Sequence, residues 1–230
     1  MQIALIGYGT MGKLIERVAL DRRHEISVIV DDSDANSSAA EVAEKLRVCD
    51  AAVDFTVAMA VRRNVEACMK ANVPIVLGTT GWIDQRSDIE SLVAQNEGSM
   101  VYGANFSIGV NLFYRIAEFA AELVSKFPEY EAFIEEQHHS RKLDSPSGTA
   151  LKIKALVSKY VEVGDIAATR AGDIPGTHRV GFDSSADQVL LTHTARSREG
   201  FALGAIMAAE WIVGRKGIYE FADVMDEILL

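Results

Sequence analysis

The chain has 230 residues, 49% of them apolar and 24% charged, with a formal net charge of −10. That length holds one large domain or two small ones around a real core, and the acidic balance argues against general nucleic-acid binding, which needs a basic footprint. No apolar run approaches the ~20 residues that span a bilayer, and residues 1–7 read as a strand rather than a leader, so a cytoplasmic protein is expected.

Taken in chain order, residues 2–6 predict a short apolar strand, then a glycine turn and a helix at 13–20. That helix is expected to turn Leu14, Val18 and, at its edge, Ile15 toward a sheet. Residues 26–30 are a second strand ending in Asp31-Asp32, and the small, polar and then alanine-rich stretch 33–43 gives only a weak helix signal. Strands follow at 51–55, 74–77 and 100–102, alternating with helices at 58–71 and 84–96. Short apolar strands alternating with helices predict a parallel sheet with right-handed crossovers. Cys49 and Cys68 lie in or beside apolar periodic segments without metal-like spacing, and are expected as buried free thiols.

The rhythm changes after Asn105. A long amphipathic helix is predicted at 111–124, with Leu112, Ile116, Phe119, Ala120 and Leu123 at helical spacing. A strand at 130–137, a helix at 148–160, and strands at 179–182 and 188–194 follow; the last two flank a turn-like Asp183-Ser184-Ser185-Ala186-Asp187. Helices at 204–213 and 220–228 end the chain. The fold class is therefore α/β: a Rossmann-type parallel sheet plus an α+β region with a mostly antiparallel or mixed sheet.

Gly7-Tyr8-Gly9-Thr10-Met11-Gly12 matches GxGxxG between a strand and a helix. The first glycine permits the tight turn, the second lets backbone approach a pyrophosphate at the helix start, and the third lets helix and strand pack closely. The motif alone is weak; an acid ending the next strand, Asp31, strengthens it, since a ribose would lie there. Otherwise the loop is a structural turn with exposed acids. Gly78-Thr79-Thr80-Gly81 ends the fourth strand on the same sheet edge, where either a ligand contact or a plain turn fits.

The segment from Glu135 to Ala150 carries two histidines, a lysine and a helix start at Ser147-Gly148-Thr149 whose amides lack bulky cover. His138 and His139 can serve one site together only if their strand ends there, because neighbouring strand residues face opposite sides. An exposed polar loop is the plain alternative. His138-His139-x-x-Lys142-x-Asp144-x-Pro146-Ser147-Gly148-Thr149-Ala150 resembles the signature of the 4-hydroxy-tetrahydrodipicolinate (dihydrodipicolinate) reductase family. Collinear matches include Asp54-Phe55-Thr56, Gly78 to Gly81, Asn105 to Asn111, Arg170 to Gly176, and Arg198-x-x-Phe201-Ala202-x-Gly204-Ala205, so the resemblance covers most of the chain.

The resemblance implies an NAD(P)H-dependent oxidoreductase that reduces a cyclic unsaturated dicarboxylate in lysine and diaminopimelate biosynthesis. It puts His138 and Lys142 in catalytic, proton-donating positions, His139, Gly148 and Thr149 on the substrate, and the cofactor on Gly7 to Gly12 (Tyr8, Gly9, Thr10 and Met11 between them), Asp31, Gly78, Thr79, Thr80, Gly103, Ala104, Asn105 and Phe106. It implies a dinucleotide-binding domain at 1–106 and 202–230, a substrate and oligomerisation domain at 107–201, a homotetramer, and no metal. NADH is expected over NADPH, which stays possible: Asp31 and Asp32 repel a 2′-phosphate, and no Lys or Arg lies between Asp31 and Glu44. For an acidic chain to bind two anions, positive potential must be local, and Lys142, Arg141 and the Gly148 helix start are expected to supply it. Two other readings compete: a dehydrogenase of similar build acting on an amino acid or amine, and a non-catalytic dinucleotide-binding regulator, which would need a broken site.

Overall fold

A computed structural model describes residues 1–229. The chain divides into two compact units, Met1–Ile108 with Arg198–Leu230, and Gly109–Ser197.

The first unit is a six-stranded, all-parallel sheet. Its strands are β1 (Gln2–Ile6), β2 (Glu25–Val30), β3 (Ala51–Asp54), β4 (Ile75–Leu77), β5 (Ser99–Tyr102) and β10 (Gly217–Glu220), in the order β10-β5-β4-β3-β1-β2. Ile3, Leu5, Ala52, Val53, Ile75, Leu77 and Met100 are fully buried, as a sheet covered on both faces requires. Helices α1 (Thr10–Asp21), α2 (Ala39–Leu46), α3 (Ala58–Ala71), α4 (Arg86–Gln95), α7 (Glu199–Ile212) and α8 (Phe221–Leu229) complete the unit.

Three local expectations are corrected here. Helix α1 buries Gly12, Ile15 and Ala19, while Leu14 and Val18 are only half-buried; small residues at 12 and 19 let the helix lie close to the sheet. The weak 33–43 region resolves into a 3₁₀ turn at Asp32–Asp34 and then α2, which starts at a capping box: Ser38 accepts from the Glu41 amide, and Glu41 accepts from the Ser38 amide. Strand β10 was not expected. It is four residues long, opens at Gly217 (φ 122°), and pairs in parallel with β5.

The second unit is a four-stranded mixed sheet, order β7-β6-β8-β9, of β6 (Glu131–His138), β7 (Ala167–Arg170), β8 (Thr177–Asp183) and β9 (Gln188–Thr194). Strand β7 runs parallel to β6, and the other pairs are antiparallel. Helices α5 (Ile108–Val124) and α6 (Gly148–Val157) cover one face, where Phe113, Ala117, Ala121, Ile134, Ile153, Val180 and Phe182 form the core. The predicted inner stripe of α5 is wrong: Ile116 and Phe119 are 52% and 60% exposed, and Phe113, Ala117 and Ala121 point inward. The helix is apolar on two sides, and the side with two alanines permits the closer approach to the sheet. The unpredicted edge strand β7 is four residues long and has no large apolar side chain.

Candidate active site

In the first unit, β2 lies on one side of β1 and β3 on the other, so the turn after β1 opens where the strand order reverses. Gly7 sits at φ 91° and donates its amide to Val30 O at 2.8 Å. A side chain on Gly12 would collide with Gly7 O, so α1 can start here only with glycine at that position. Gly9, the residue before α1, has nothing within 4 Å of where a Cβ would stand. The protein itself does not demand glycine there; an incoming ligand would use that space. These three glycines and the helix start fit a dinucleotide pyrophosphate. Tyr8 pairs through its hydroxyl with Glu16, and Lys13 lies 5.8 Å from the centre of its ring. Thr10 is exposed and Met11 half-buried in the first turn of α1.

Asp31 follows β2, exposed, and accepts from the Ser33 amide (2.9 Å) and hydroxyl (2.7 Å); the hydroxyl bond first, then the amide bond, hold its carboxyl below the usual range. The fold also brings two cations to this loop that local sequence did not reveal. Lys45 of α2 reaches Asp34 at 2.5 Å, and Arg63 of α3 donates to Asp34 O at 2.8 Å and Ala35 O at 3.0 Å.

Behind the Gly78–Gly81 turn, Asp54 is completely buried at the end of β3. It accepts from Thr79 Oγ1 (2.8 Å), Thr56 Oγ1 (2.7 Å), Thr56 N (3.0 Å) and Asn64 Nδ2 (2.8 Å). Burial pushes its carboxyl up, with the hydrogen bonds pulling the other way. The Thr79 hydroxyl is therefore turned inward, while Thr80 is exposed. Gly78 packs under the Phe55 ring, which a side chain would strike. Of the segment 103–106, Ala104 is exposed and Asn105 Oδ1 accepts the Ser107 amide at 2.9 Å. The Phe106 ring packs against Phe221 (4.6 Å) and Phe55 (6.1 Å), and Gly103 leaves room for Phe221. Any ligand contact by Phe106 would thus come from its backbone.

The second unit gathers the histidine segment. Strand β6 ends at His138, so His139 falls outside the alternation. Glu136 and His138 share a face, as positions two apart must. His138 Nδ1 bonds Glu136 Oε2, while Glu136 Oε1 accepts from Arg170 (2.6 Å) and the Ser147 amide (3.2 Å). Register places His178 of β8 opposite Glu136 and His193 of β9 opposite His178. His178 Nε2 is 3.1 Å from Ser147 Oγ, which caps α6 by accepting the Ala150 amide at 3.2 Å. Burial first, then neighbouring His138, push the His178 imidazole down to about 4, so the ring is neutral at pH 7.

Asp144 links the two ends of the loop: Oδ1 accepts from Lys142 Nζ at 2.7 Å and Oδ2 from the Gly148 amide at 3.4 Å. Gly148 is exposed with open space before it, Thr149 bonds Tyr114, and His139 is half-buried with Nδ1 unpartnered. Arg141 does not join the cluster. It pairs with Asp173 at 2.8 Å, both well exposed, and the local cation is Arg170 instead. Glu136 could have been singled out from the two-residue period, but Arg170 and His178 arrive through strand register, which sequence spacing does not show. Glu136, His138 and His178 also lie within common reach of an ion among the described residues. Glu136 is bonded to His138, Arg170 and the Ser147 amide, and His178 Nε2 to Ser147 Oγ, while the buried His178 Nδ1 has no partner; the fixed Arg170 charge opposes a cation there.

Fold and sites together define a two-unit α/β enzyme, with a dinucleotide-type glycine turn in one unit and a buried histidine–carboxylate cluster beside Lys142 in the other. The chain matches the families described as dihydrodipicolinate reductase, N-terminus, over residues 1–106, and dihydrodipicolinate reductase, C-terminus, over residues 109–225. It belongs to the dihydrodipicolinate reductase family and is an oxidoreductase. A 4-hydroxy-tetrahydrodipicolinate reductase of Christiangramia forsetii is 37% identical, covering 99% of each chain. Another from Archaeoglobus fulgidus is 33% identical over 98% of this chain and 100% of its own. Among solved structures, a dipicolinate-bound dihydrodipicolinate reductase from Paenisporosarcina sp. TG-14 superposes with a TM-score of 0.77 at 23% identity, covering 97% of this chain and 99% of that one, and shows the same fold.

Proposed function

We propose that the protein reduces the 4-hydroxy-tetrahydrodipicolinate/dihydrodipicolinate intermediate to tetrahydrodipicolinate in lysine and diaminopimelate biosynthesis, taking hydride preferentially from NADH. The carrying observation is the Asp144 carboxylate, held between Lys142 Nζ and the Gly148 amide. Those two groups are already arranged around one carboxylate, the chemistry that a cyclic dicarboxylate offers.

A bound nicotinamide supplies the hydride. Adding hydride to a conjugated C=C–C=N system builds negative charge at its far end, which needs a proton or a nearby cation. Lys142 and the α6 start provide preorganised positive potential there. His138 donates a proton, Lys142 is the second donor, and His139, Gly148 and Thr149 hold the substrate. Gly7 to Gly12, Asp31, Gly78 to Thr80 and Gly103 to Phe106 form the cofactor contacts. A dehydrogenase acting on an amino acid or amine would have no need of this lysine, histidine and helix-start set.

Asp31 is ionised, with Oδ1 taken by Ser33 and Oδ2 left to accept from ribose hydroxyls, while a 2′-phosphate would meet its charge. Lys45 is paired with Asp34, which neutralises much of its charge, and Arg63 is tied by its guanidinium to the Asp34 and Ala35 carbonyls. Neither is therefore turned toward a 2′-phosphate, although both still soften the repulsion. Catalytic efficiency measured with both cofactors at low salt is expected to favour NADH, and Asp31→Ser with Asp32→Arg to narrow or reverse the gap. Equal wild-type values, or a preference for NADPH, would mean that Lys45 or Arg63 is recruited to the phosphate.

The reading also includes a homotetramer working in the cytoplasm. No helix among the described residues is long and apolar enough to cross a membrane. The sheet face opposite α5 and α6 carries Phe133, Leu190, Thr192 and Thr194, and Leu190 is 48% exposed. A symmetric sheet-to-sheet contact would cover this face. Light scattering at micromolar concentration is expected to give the mass of four chains; a clean monomer would rule the assembly out.

A further inference from the structure

The cluster in the second unit contains a carboxylate that the chemistry above leaves without a task. Glu136 has a fully buried side chain, and both of its oxygens are committed. Burial alone pushes a carboxyl up; here Arg170, His138 and the Ser147 amide outweigh it and hold Glu136 below its ordinary range, so it is an anion. With Oε1 taken by Arg170 and Ser147, only Oε2 is left for His138, and it meets Nδ1. A carboxylate can only accept, so Nδ1 carries the hydrogen and Nε2 is left to exchange protons.

A second observation concerns that other nitrogen. A Cβ on Gly176 would stand 3.0 Å from His138 Nε2. Gly176 is not among the glycines with positive φ, so its backbone does not call for glycine. The missing side chain keeps the Nε2 edge of the imidazole clear.

We propose that Glu136 is the positioning residue of this site: anchored by Arg170 and the Ser147 amide, it fixes His138 as the Nδ1–H form with Nε2 presented for proton donation, and supports the ring's positive charge when Nε2 is loaded. This rests on His138 being the proton donor. The groups that face the ring are Glu136 on β6, Arg170 on β7, His178 on β8 and Lys142 in the following loop, with His193 beyond His178 and Asp144 on Lys142. Burial, Lys142 and Arg170 disfavour the imidazolium, and Glu136 favours it. A donor must be protonated, so activity falls as pH rises through the ring's pKa. Removing the Glu136 charge moves that fall to lower pH.

The test uses the full chain with NADH and the cyclic substrate. Glu136→Gln keeps the size but loses the charge, and it turns one of the two accepting oxygens into a donating NH2. It is expected to shift the alkaline limb of kcat down by about one pH unit or more and to leave the KM for NADH unchanged, with Glu136→Asp restoring part of the shift. Nitrogen-15 NMR of the wild-type chain, with His138 assigned by the resonance lost in His138→Gln, is expected to show the Nδ1–H tautomer at high pH; this arm does not depend on any Glu136 variant folding. A limb that survives in His138→Gln would overturn the donor role itself. A limb that needs His138 yet stays in place in Glu136→Gln, or a wild-type Nε2–H tautomer, would overturn the positioning role alone.

Discussion

Replacing His138 or Lys142 by alanine is expected to lower turnover by ~10²–10⁴-fold, the usual cost of a lost general acid, while NADH binding changes little. Both side chains belong to the second unit, whereas the glycine turn belongs to the first, so a loss confined to turnover is the signature of chemistry rather than of cofactor affinity. His138 sits at the end of β6 with its Nδ1 on Glu136, and the Lys142 charge is close enough to lower the ring's proton affinity. The two groups therefore act within one small volume and their losses should not simply add. Fluorescence titration with NADH beside steady-state kinetics separates the two parameters. If both variants keep near-normal turnover and an unchanged pH dependence, the assigned roles are wrong.

Gly12→Val is expected to have the second large effect: loss of measurable NADH binding together with a lowered melting temperature. The Cβ of any side chain at 12 would overlap Gly7 O, and Gly7 is itself held at φ 91° with its amide on Val30. Neither partner can retreat without opening the turn or lifting α1 off the sheet, and overpacking of this kind costs typically 1–3 kcal/mol. Gly9→Ala is the matched control, since its Cβ meets open space. That variant is expected to fold with wild-type stability and to bind NADH more weakly, because the added methyl occupies room that only the ligand uses. Calorimetric melting and NADH titration of both variants check this; wild-type NADH affinity in Gly12→Val would remove the glycine turn from the cofactor site.

The parallel sheet was legible because each of its first five strands is a short apolar run closed by a turn or a helix. The sequence predicts helix α3 at 58–71 and β9 at 188–194, and both have those bounds in the structure. For α3 the reason is local: an uninterrupted pattern that stops where Asn72 turns left-handed at φ 55°. Strand β10 was missed because its evidence is not local. Gly217 to Glu220 gains strand character from pairing with β5, a partner far away in the sequence. The inner face of α5 was misread because Ile116 and Phe119 outweigh Ala117 and Ala121 on any hydrophobic scale, while close packing against a sheet favours the alanines.

The same division runs through the sites. The residues that announce chemistry, His138, Lys142 and the Ser147-Gly148-Thr149 helix start, are contiguous and carried the family resemblance. Those that set their properties are not contiguous. Arg170 reaches Glu136 from β7, and His178 faces it from β8, each placed by register. Near the second strand, local sequence offered only acids, yet folding brings Lys45 and Arg63 to the same loop. Arg141 went the other way: it is adjacent to Lys142 in sequence but pairs with Asp173 in solvent.

The most direct test of the central claim follows the loss of NADH absorbance when the purified chain meets the freshly made, unstable product of the condensation of pyruvate with aspartate semialdehyde. Stoichiometric NADH oxidation that needs both the condensation product and the enzyme is the predicted result. No oxidation with that product, in a chain that binds NADH and oxidises it with a 2-oxo acid and ammonia or with an imine instead, would contradict the account.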